Sequence, residues 1–145
     1  MKRQWMHRAM KNWGDAKDAQ EKNRLAWIIK ENNLHHFPLF DQTIFINKTD
    51  FTWTKEHPTG YQSKEELARA WAVFMPDLFF PLRKTIIEID GSFHFNSEKG
   101  VKRTKLRNQY YEYAGLKLIT VTPEDMKEMS DDELLTFLKQ RLSDA

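Results

Sequence analysis

The segment 85–90, TIIEID in the sequence, constrains the fold of this chain more than any other stretch. It is rich in β-branched residues and is closed by Gly91, a pattern typical of a β-strand. Because side chains two positions apart in a strand point to the same side, Glu88 and Asp90 share a face with Ile86. The other face carries two further isoleucines. Both faces therefore favour burial, and a pair of carboxylates here costs free energy unless it has a chemical role.

A second short strand is predicted just upstream, over 77–80, with a turn at 82–84. The short spacing favours an antiparallel hairpin with the strand 85–90. In that hairpin Asp77 lies opposite the far end of the second strand, so three carboxylates converge at one edge of the sheet. Anions side by side repel one another and require a cation or a proton to coexist. Hard oxygen ligands of this kind suit Mg²⁺ or Mn²⁺.

Each of these acidic residues also has a structural interpretation. Asp77 follows a proline and can cap a turn, Glu88 can lie on a solvated face, and Asp90-Gly91 is a common turn pair. The pattern alone leaves a metal site and a purely structural arrangement open.

The remaining periodicities predict alternating helices and strands. Helices are predicted over about 15–32, from 63 to about 73, over about 99–114 and over about 131–142, the third closed by Gly115 in a left-handed cap. Strands are predicted at 43–46, 51–54 and 116–122. This order indicates an α/β (α+β) fold with a mixed central β-sheet flanked by helices. The length of 145 residues fits one domain over 15–145, preceded by a basic N-terminal segment over 1–14.

Basic residues are concentrated on the third predicted helix, although the net charge of the chain is only +2. Such a patch attracts polyanions, above all nucleic acid, although a solvated helix face gives the same pattern. The five basic residues are Lys99, Lys102, Arg103, Lys105 and Arg107.

The chain has no cysteine, which excludes disulfides and thiolate zinc sites and fits a reducing compartment. It contains no run of about 18 apolar residues, so no membrane span is predicted. The first residues lack the apolar stretch of a secretory signal. A cytoplasmic protein without a membrane partner is expected.

The motifs MPDLFFP at 75–81 and IIEIDGSFH at 86–94, followed by a basic helix that ends in Gly115, resemble the PD-(D/E)XK nuclease superfamily. The pattern is most similar to the branch that includes the very-short-patch-repair endonucleases. Glu21 on the first predicted helix resembles a further acidic position of that branch. The resemblance covers about 15–125. It implies a restriction-endonuclease-like core, with a helical insertion at about 48–69.

The resemblance implies a Mg²⁺-dependent DNA endonuclease, with Mn²⁺ able to substitute and no zinc. Asp77 is the expected central metal ligand, joined by Glu88 and the backbone carbonyl of Ile89. Asp90 is expected to be a second ligand or to orient the attacking water. The basic residues of the third helix are expected to hold DNA phosphates without reading the bases.

Two further residues receive roles from the resemblance. His94 is expected to act as a general acid/base or to bind the scissile phosphate, and its alternative is a hydrogen-bonded core residue. Glu21 is expected to reach the metal through water, and its alternative is a helix cap.

One position departs from the superfamily pattern, because Asp90 stands where a lysine usually polarises the nucleophilic water. Two alternatives to a simple duplex endonuclease stay open, and the missing lysine favours the second of them. The first is a structure-selective junction resolvase, which works on branched DNA as a homodimer. The second is a catalytically inactive DNA-binding module with a nuclease fold.

Overall fold

The computed structural model describes the backbone of residues 13–90 and 97–143, and side chains from residue 19 onward within those ranges. The chain forms two compact units. The first consists of residues up to Phe37 together with those from Met129, and the second is Pro38–Glu128. The assignment of 15–145 to a single domain stays a prediction.

The described part of the chain contains both helices and strands, as the periodicities predict. A short 3-10 helix at Pro81–Arg83 separates two of the strands. In chain order the other elements are α1 (Trp13–Glu31), β1 (Leu39–Phe40), β2 (Ile44–Asn47), β3 (Trp53–Thr54), α2 (Lys64–Ala70), β4 (Trp71–Phe74), β5 (Leu78–Phe80), β6 (Thr85–Ile89), α3 (Glu98–Tyr113), β7 (Lys117–Val121), α4 (Pro123–Glu128) and α5 (Asp131–Ser143). No described helix is long and apolar enough to cross a membrane.

The first unit contains α1 and α5, both of which the sequence predicts. Their buried leucines and isoleucines recur at helical spacing, which gives each helix one apolar face. Arg24 links the two helices because its guanidinium lies 2.7 Å from Asp131 Oδ1 and donates to the carbonyl of Met129, also at 2.7 Å.

The second unit is built on a four-stranded mixed sheet in the order β1-β5-β6-β7. β5 and β6 form the predicted antiparallel hairpin, with Leu78 paired to Ile87. β7 runs parallel to β6, and α3 connects the two, because parallel neighbours require a crossover. The mixed α/β class predicted from the sequence is confirmed.

The second unit also holds a three-stranded antiparallel sheet in the order β3-β2-β4. Here the sequence prediction of a helix from 63 to about 73 is wrong at its C-terminal end. The helix α2 ends at Ala70, and Trp71 already has extended backbone angles. The next residues pair with β2, with Val73 opposite Phe45, because aromatic and β-branched side chains suit a strand once a partner strand is available.

The core of this unit lies between the two sheets and α3. Ile44 and Ile46 of β2, Phe79 of β5 and Ile86 of β6 pack against Tyr111 of α3, and all five are completely buried.

α3 ends as predicted, with Gly115 in the left-handed region at φ 75°. The N–H of Leu116 donates to the carbonyl of Tyr111 at 2.9 Å, which closes the helix before β7.

Candidate active site

The hairpin places Asp77 beside Glu88, and each carboxylate accepts a hydrogen bond from a backbone N–H on the other side of the hairpin. The N–H of Asp77 donates to Glu88 Oε1 at 2.7 Å, and the N–H of Ile89 donates to Asp77 Oδ2, also at 2.7 Å. This reciprocal pair follows from the register, since Leu78 lies opposite Ile87 and the residues flanking them become neighbours. The predicted convergence of acidic side chains at this end of the strand pair is therefore present.

Arg107 of α3 joins Glu88 to Asp90 through paired ionic contacts. Its Nη1 lies 2.7 Å from Glu88 Oε2, and its Nη2 lies 2.9 Å from Asp90 Oδ2. Nη1 also donates to Asp90 Oδ1 at 3.3 Å, while Nε and Nη2 donate to Asn108 Oδ1 at 3.2 and 3.0 Å. All five N–H donors of the guanidinium therefore have an acceptor.

These charged groups are almost completely shielded from solvent. The side chains of Glu88, Asp90 and Arg107 are exposed by only 6%, 4% and 14%. Ion pairs at this depth are not screened like surface pairs, so the loss of one partner leaves an uncompensated buried charge. Asp77, Glu88, Asp90 and Arg107 are called the carboxylate–arginine cluster below.

The carboxylate–arginine cluster carries an excess of negative charge. Three carboxylates face one guanidinium, which leaves two negative charges when every group is ionised. Burial, assisted by the charges of Asp77 and Asp90, raises the pKa of Glu88 from 4.5 to about 8, although Arg107 acts in the opposite direction. The cluster therefore tends to take up either a proton or a further cation.

Because of this raised pKa, we expect the free energy of unfolding to fall with rising pH. Folded Glu88 binds its proton more tightly than unfolded Glu88, so its stabilising contribution is complete below pH 4.5 and is lost as the pH passes 8. The slope reaches at most about 1.4 kcal/mol per pH unit. Urea unfolding between these pH values should show this slope in the wild type and not in Glu88→Gln. Parallel curves for the two proteins would contradict the raised pKa.

The phenol of Tyr111 lies one helical turn beyond Arg107, and the guanidinium carbon is 5.7 Å from the centre of its ring. Its hydroxyl is completely buried and has no hydrogen-bond partner among the described residues. Burial, with the negative charge of Glu88, raises the pKa of this hydroxyl, so it stays protonated. A buried hydroxyl of this kind calls for a water or a ligand oxygen as its partner.

The donor set fits a hard divalent cation, but only through part of the cluster. Among residues 13–90 and 97–143, no group of three or more acidic or histidine side chains is arranged to hold a metal ion. Arg107 binds both oxygens of Asp90 but only one oxygen of Glu88, so the carboxylates of Asp77 and Glu88 are the better metal-ligand candidates. Mg²⁺ is commonly held by one or two carboxylates, with water and substrate phosphate completing its shell.

The other residues that the sequence singles out lie as follows. Glu21 lies partly buried on α1 in the first unit, and His94 lies outside the described residues. Ile89 ends β6, and its N–H is the group that donates to Asp77. The carboxylate of Asp90, predicted to be a ligand or to orient water, is paired with arginine instead.

The basic residues of α3 divide into two groups. Arg107, predicted to hold a DNA phosphate, faces inward and has no donor left for one. The other four are exposed, and one of them makes an ion pair with Glu98 at 3.5 Å. The four are Lys99, Lys102, Arg103 and Lys105.

The roles of Arg107, Asn108 and Tyr111 in this site are not predicted from the sequence. A signal for two of them exists in the spacing of α3. Thr104 and Tyr111 are its buried residues, and Arg107 lies between them on the same helix face. An arginine on the buried face of a helix requires carboxylate partners, and the hairpin supplies them.

No protein-family model, curated protein or solved structure matches this chain. The functional assignment therefore depends on the chemistry of the carboxylate–arginine cluster and its surroundings.

Proposed function

We propose that this chain is a Mg²⁺-dependent DNA endonuclease with a restriction-endonuclease-like core. The observation that carries the proposal is the convergence of three carboxylates, two of them buried, at the end of the β5–β6 hairpin, where Arg107 joins Glu88 to Asp90. Taking several anions out of water is costly, and a purely structural site of this size gains more from apolar residues. A cation site explains why the negative charge is retained.

Each residue of the carboxylate–arginine cluster has its own role in such a site. Asp77 and Glu88 hold the Mg²⁺, with the backbone carbonyl of Ile89 as a further oxygen ligand. When bound, the metal activates water and offsets the charge that develops on the phosphate. Arg107 and Asp90 position the carboxylate of Glu88, because the guanidinium binds both acidic side chains at once.

The exposed basic residues of α3 supply the attraction for DNA. We expect Arg103→Gln to weaken binding to all duplex sequences alike and to reduce the slope of log Kd against log salt by about one. Fluorescence anisotropy with a labelled duplex between about 50 and 200 mM salt measures both quantities. Lys139→Gln, an exposed substitution on α5, is the matched control. An unchanged slope for Arg103→Gln would place the DNA elsewhere.

The proposal is tested with supercoiled plasmid incubated with Mg²⁺, with Mn²⁺ and with EDTA. We expect nicked or linear plasmid with either metal and intact plasmid in EDTA, because a bound metal would activate the attacking water and offset the charge that develops on the phosphate. A folded protein that leaves plasmid, branched DNA and mismatched DNA intact with both metals would overturn the proposal.

A second candidate is an inactive DNA-binding module with the same fold. The observation that favours it is the mutual satisfaction of Asp90 and Arg107, whose oxygens and donors are all in use. Such a module binds DNA equally well in EDTA and in Mg²⁺ and cleaves none. An endonuclease site should bind Mg²⁺ measurably in calorimetry, and Asp77→Asn should remove that binding.

A further inference from the structure

An open cavity of about 450 Å³ lies next to the carboxylate–arginine cluster within the second unit. Two residues of β4, Val73 and Phe74, form one wall. The other wall is formed by the first half of α3 and the residue that caps it, and its lining residues are Ser97, Lys99, Gly100, Arg103, Thr104 and Arg107.

The cavity follows one face of α3 toward the cluster. Gly100, Thr104 and Arg107 recur at the spacing that places side chains above one another on a helix. Arg107 ends this row, and it is the residue that binds Glu88 and Asp90. The cavity and the proposed metal site therefore share one side chain, so a molecule in the cavity lies next to the arginine that binds Glu88 and Asp90.

The walls of the cavity combine an apolar surface with unpaired cations. Val73 of the edge strand β4 is 49% exposed, and Phe74 is half-buried beside it. Among the described residues, Lys99 and Arg103 make no ion pair or hydrogen bond, whereas Lys102 on the same helix pairs with Glu98. A flat apolar group with an attached anion matches both features, and a nucleotide has this composition.

The cavity is large enough for one nucleotide but too small for a stacked duplex. Its volume lies within the range of about 300 to 1,000 Å³ for cavities that hold single small molecules. A nucleotide in duplex DNA can enter such a space only after it leaves the base stack, which is least costly where it is unpaired.

We infer that this cavity binds one unstacked nucleotide next to the scissile phosphate, and that the preferred substrate is DNA with an unpaired nucleotide, such as a bulge or a single-stranded flap. That the phosphate beside the cavity is the one cleaved rests on the proposed function, whereas the binding preference itself does not require cleavage. A supercoiled plasmid is a suitable test substrate for such a preference, because negative supercoiling favours local unpairing of bases.

The test measures binding of the full chain in EDTA, so that cleavage plays no part. Two fluorescein-labelled duplexes of the same sequence are compared by anisotropy, one fully paired and one with a single-nucleotide bulge at its centre. We expect about tenfold tighter binding of the bulged duplex, the effect of one stacked base. Val73→Trp fills the cavity and should abolish the preference while the affinity for the paired duplex stays within about twofold.

The matched control is Leu106→Trp, which adds the same side chain at a 53% exposed position of α3 that does not line the cavity. It should keep the full preference for the bulge. Unchanged binding of the paired duplex by Val73→Trp shows that this variant is folded. Should it fail to fold, Gly100→Leu tests the same space from the helix side. Equal affinity of the wild type for both duplexes, or a preference that survives filling of the cavity, overturns the inference.

The two proposals fail separately. Preference for the bulge without cleavage of any DNA would leave the inference standing and remove the endonuclease. Metal-dependent cleavage without preference for the bulge, or with one unaffected by Val73→Trp, would leave the endonuclease and remove the nucleotide site.

Discussion

Replacing Asp77 by asparagine is expected to reduce Mg²⁺-dependent cleavage of DNA by about a thousandfold or more. The carboxylate of Asp77 is the most solvent-accessible acid of the cluster and lies directly beside Glu88. Loss of a metal ligand removes several kcal/mol of transition-state stabilisation, and each 1.4 kcal/mol corresponds to about a tenfold change in rate. The measurement is the rate of plasmid nicking under conditions where the enzyme exceeds the substrate.

Asparagine is the sharpest substitution here because it preserves the local structure. Its side-chain carbonyl still accepts the N–H of Ile89, which Asp77 Oδ2 accepts at 2.7 Å. The negative charge disappears, and with it one of the causes that raise the pKa of Glu88. The variant keeps the backbone contact of this side chain and should bind DNA in EDTA with the same affinity as the wild type.

A control variant accompanies this measurement. Asp132→Asn removes an exposed acid from the first turn of α5 and should leave cleavage unchanged. Cleavage by Asp77→Asn at the wild-type rate would remove this carboxylate from the site. Loss of DNA binding together with cleavage would indicate a folding defect and would require Asp77→Ala as a second test.

The acidic part of the site is predictable from the sequence because it is local. Asp77 and Glu88 are eleven positions apart and are joined by a hairpin whose register depends on a short turn. Once the strands are recognised, the alternation of side chains places the acids at one end. The left-handed cap at Gly115 and the parallel strand that follows are predictable for the same reason, since backbone conformation and apolar runs are local signals.

The remaining part depends on contacts that are distant along the chain. Arg107 is seventeen positions from Asp90, and its inward orientation depends on how α3 packs against the sheet. Among five basic residues on one helix, composition does not distinguish the buried one. The strand β4 shows the same limit, because residues 71–74 continue a helical pattern and become a strand through pairing with β2.

Replacing Arg107 by methionine is expected to destabilise the protein by about 3 to 5 kcal/mol at pH 8. The guanidinium is the common partner of Glu88 and Asp90, whose side chains are 6% and 4% exposed. Methionine fills a similar volume with no charge, so the carboxylate of Asp90 is left buried without its arginine partner and Glu88 is driven to its protonated form. Urea unfolding measures the loss, and Arg103→Met, an exposed substitution on the same helix, should change stability by less than about 0.5 kcal/mol.

The loss should depend on pH in a defined direction. Without Arg107, the pKa of Glu88 rises further above its unfolded value, because the charge that lowers it has been removed. Its protonated form is then the stable one in the folded state of the variant, so the contribution of Glu88 to the deficit is small between pH 4.5 and 8 and grows as the pH rises past 8. A loss below about 1 kcal/mol at pH 8 would show that the two acids are solvated and would contradict the buried ion pairs.

A triple variant separates the charge of the site from its packing. Arg107→Met combined with Glu88→Gln and Asp90→Asn removes the acids together with their partner and should recover most of the stability, since no unpaired charge is left. Mg²⁺ should then stabilise the Arg107→Met variant more than the triple variant, because a ligand that binds only the folded state stabilises it by mass action. Equal responses to Mg²⁺ would mean that Arg107 alone balances these acids and that the cluster is a structural charge network.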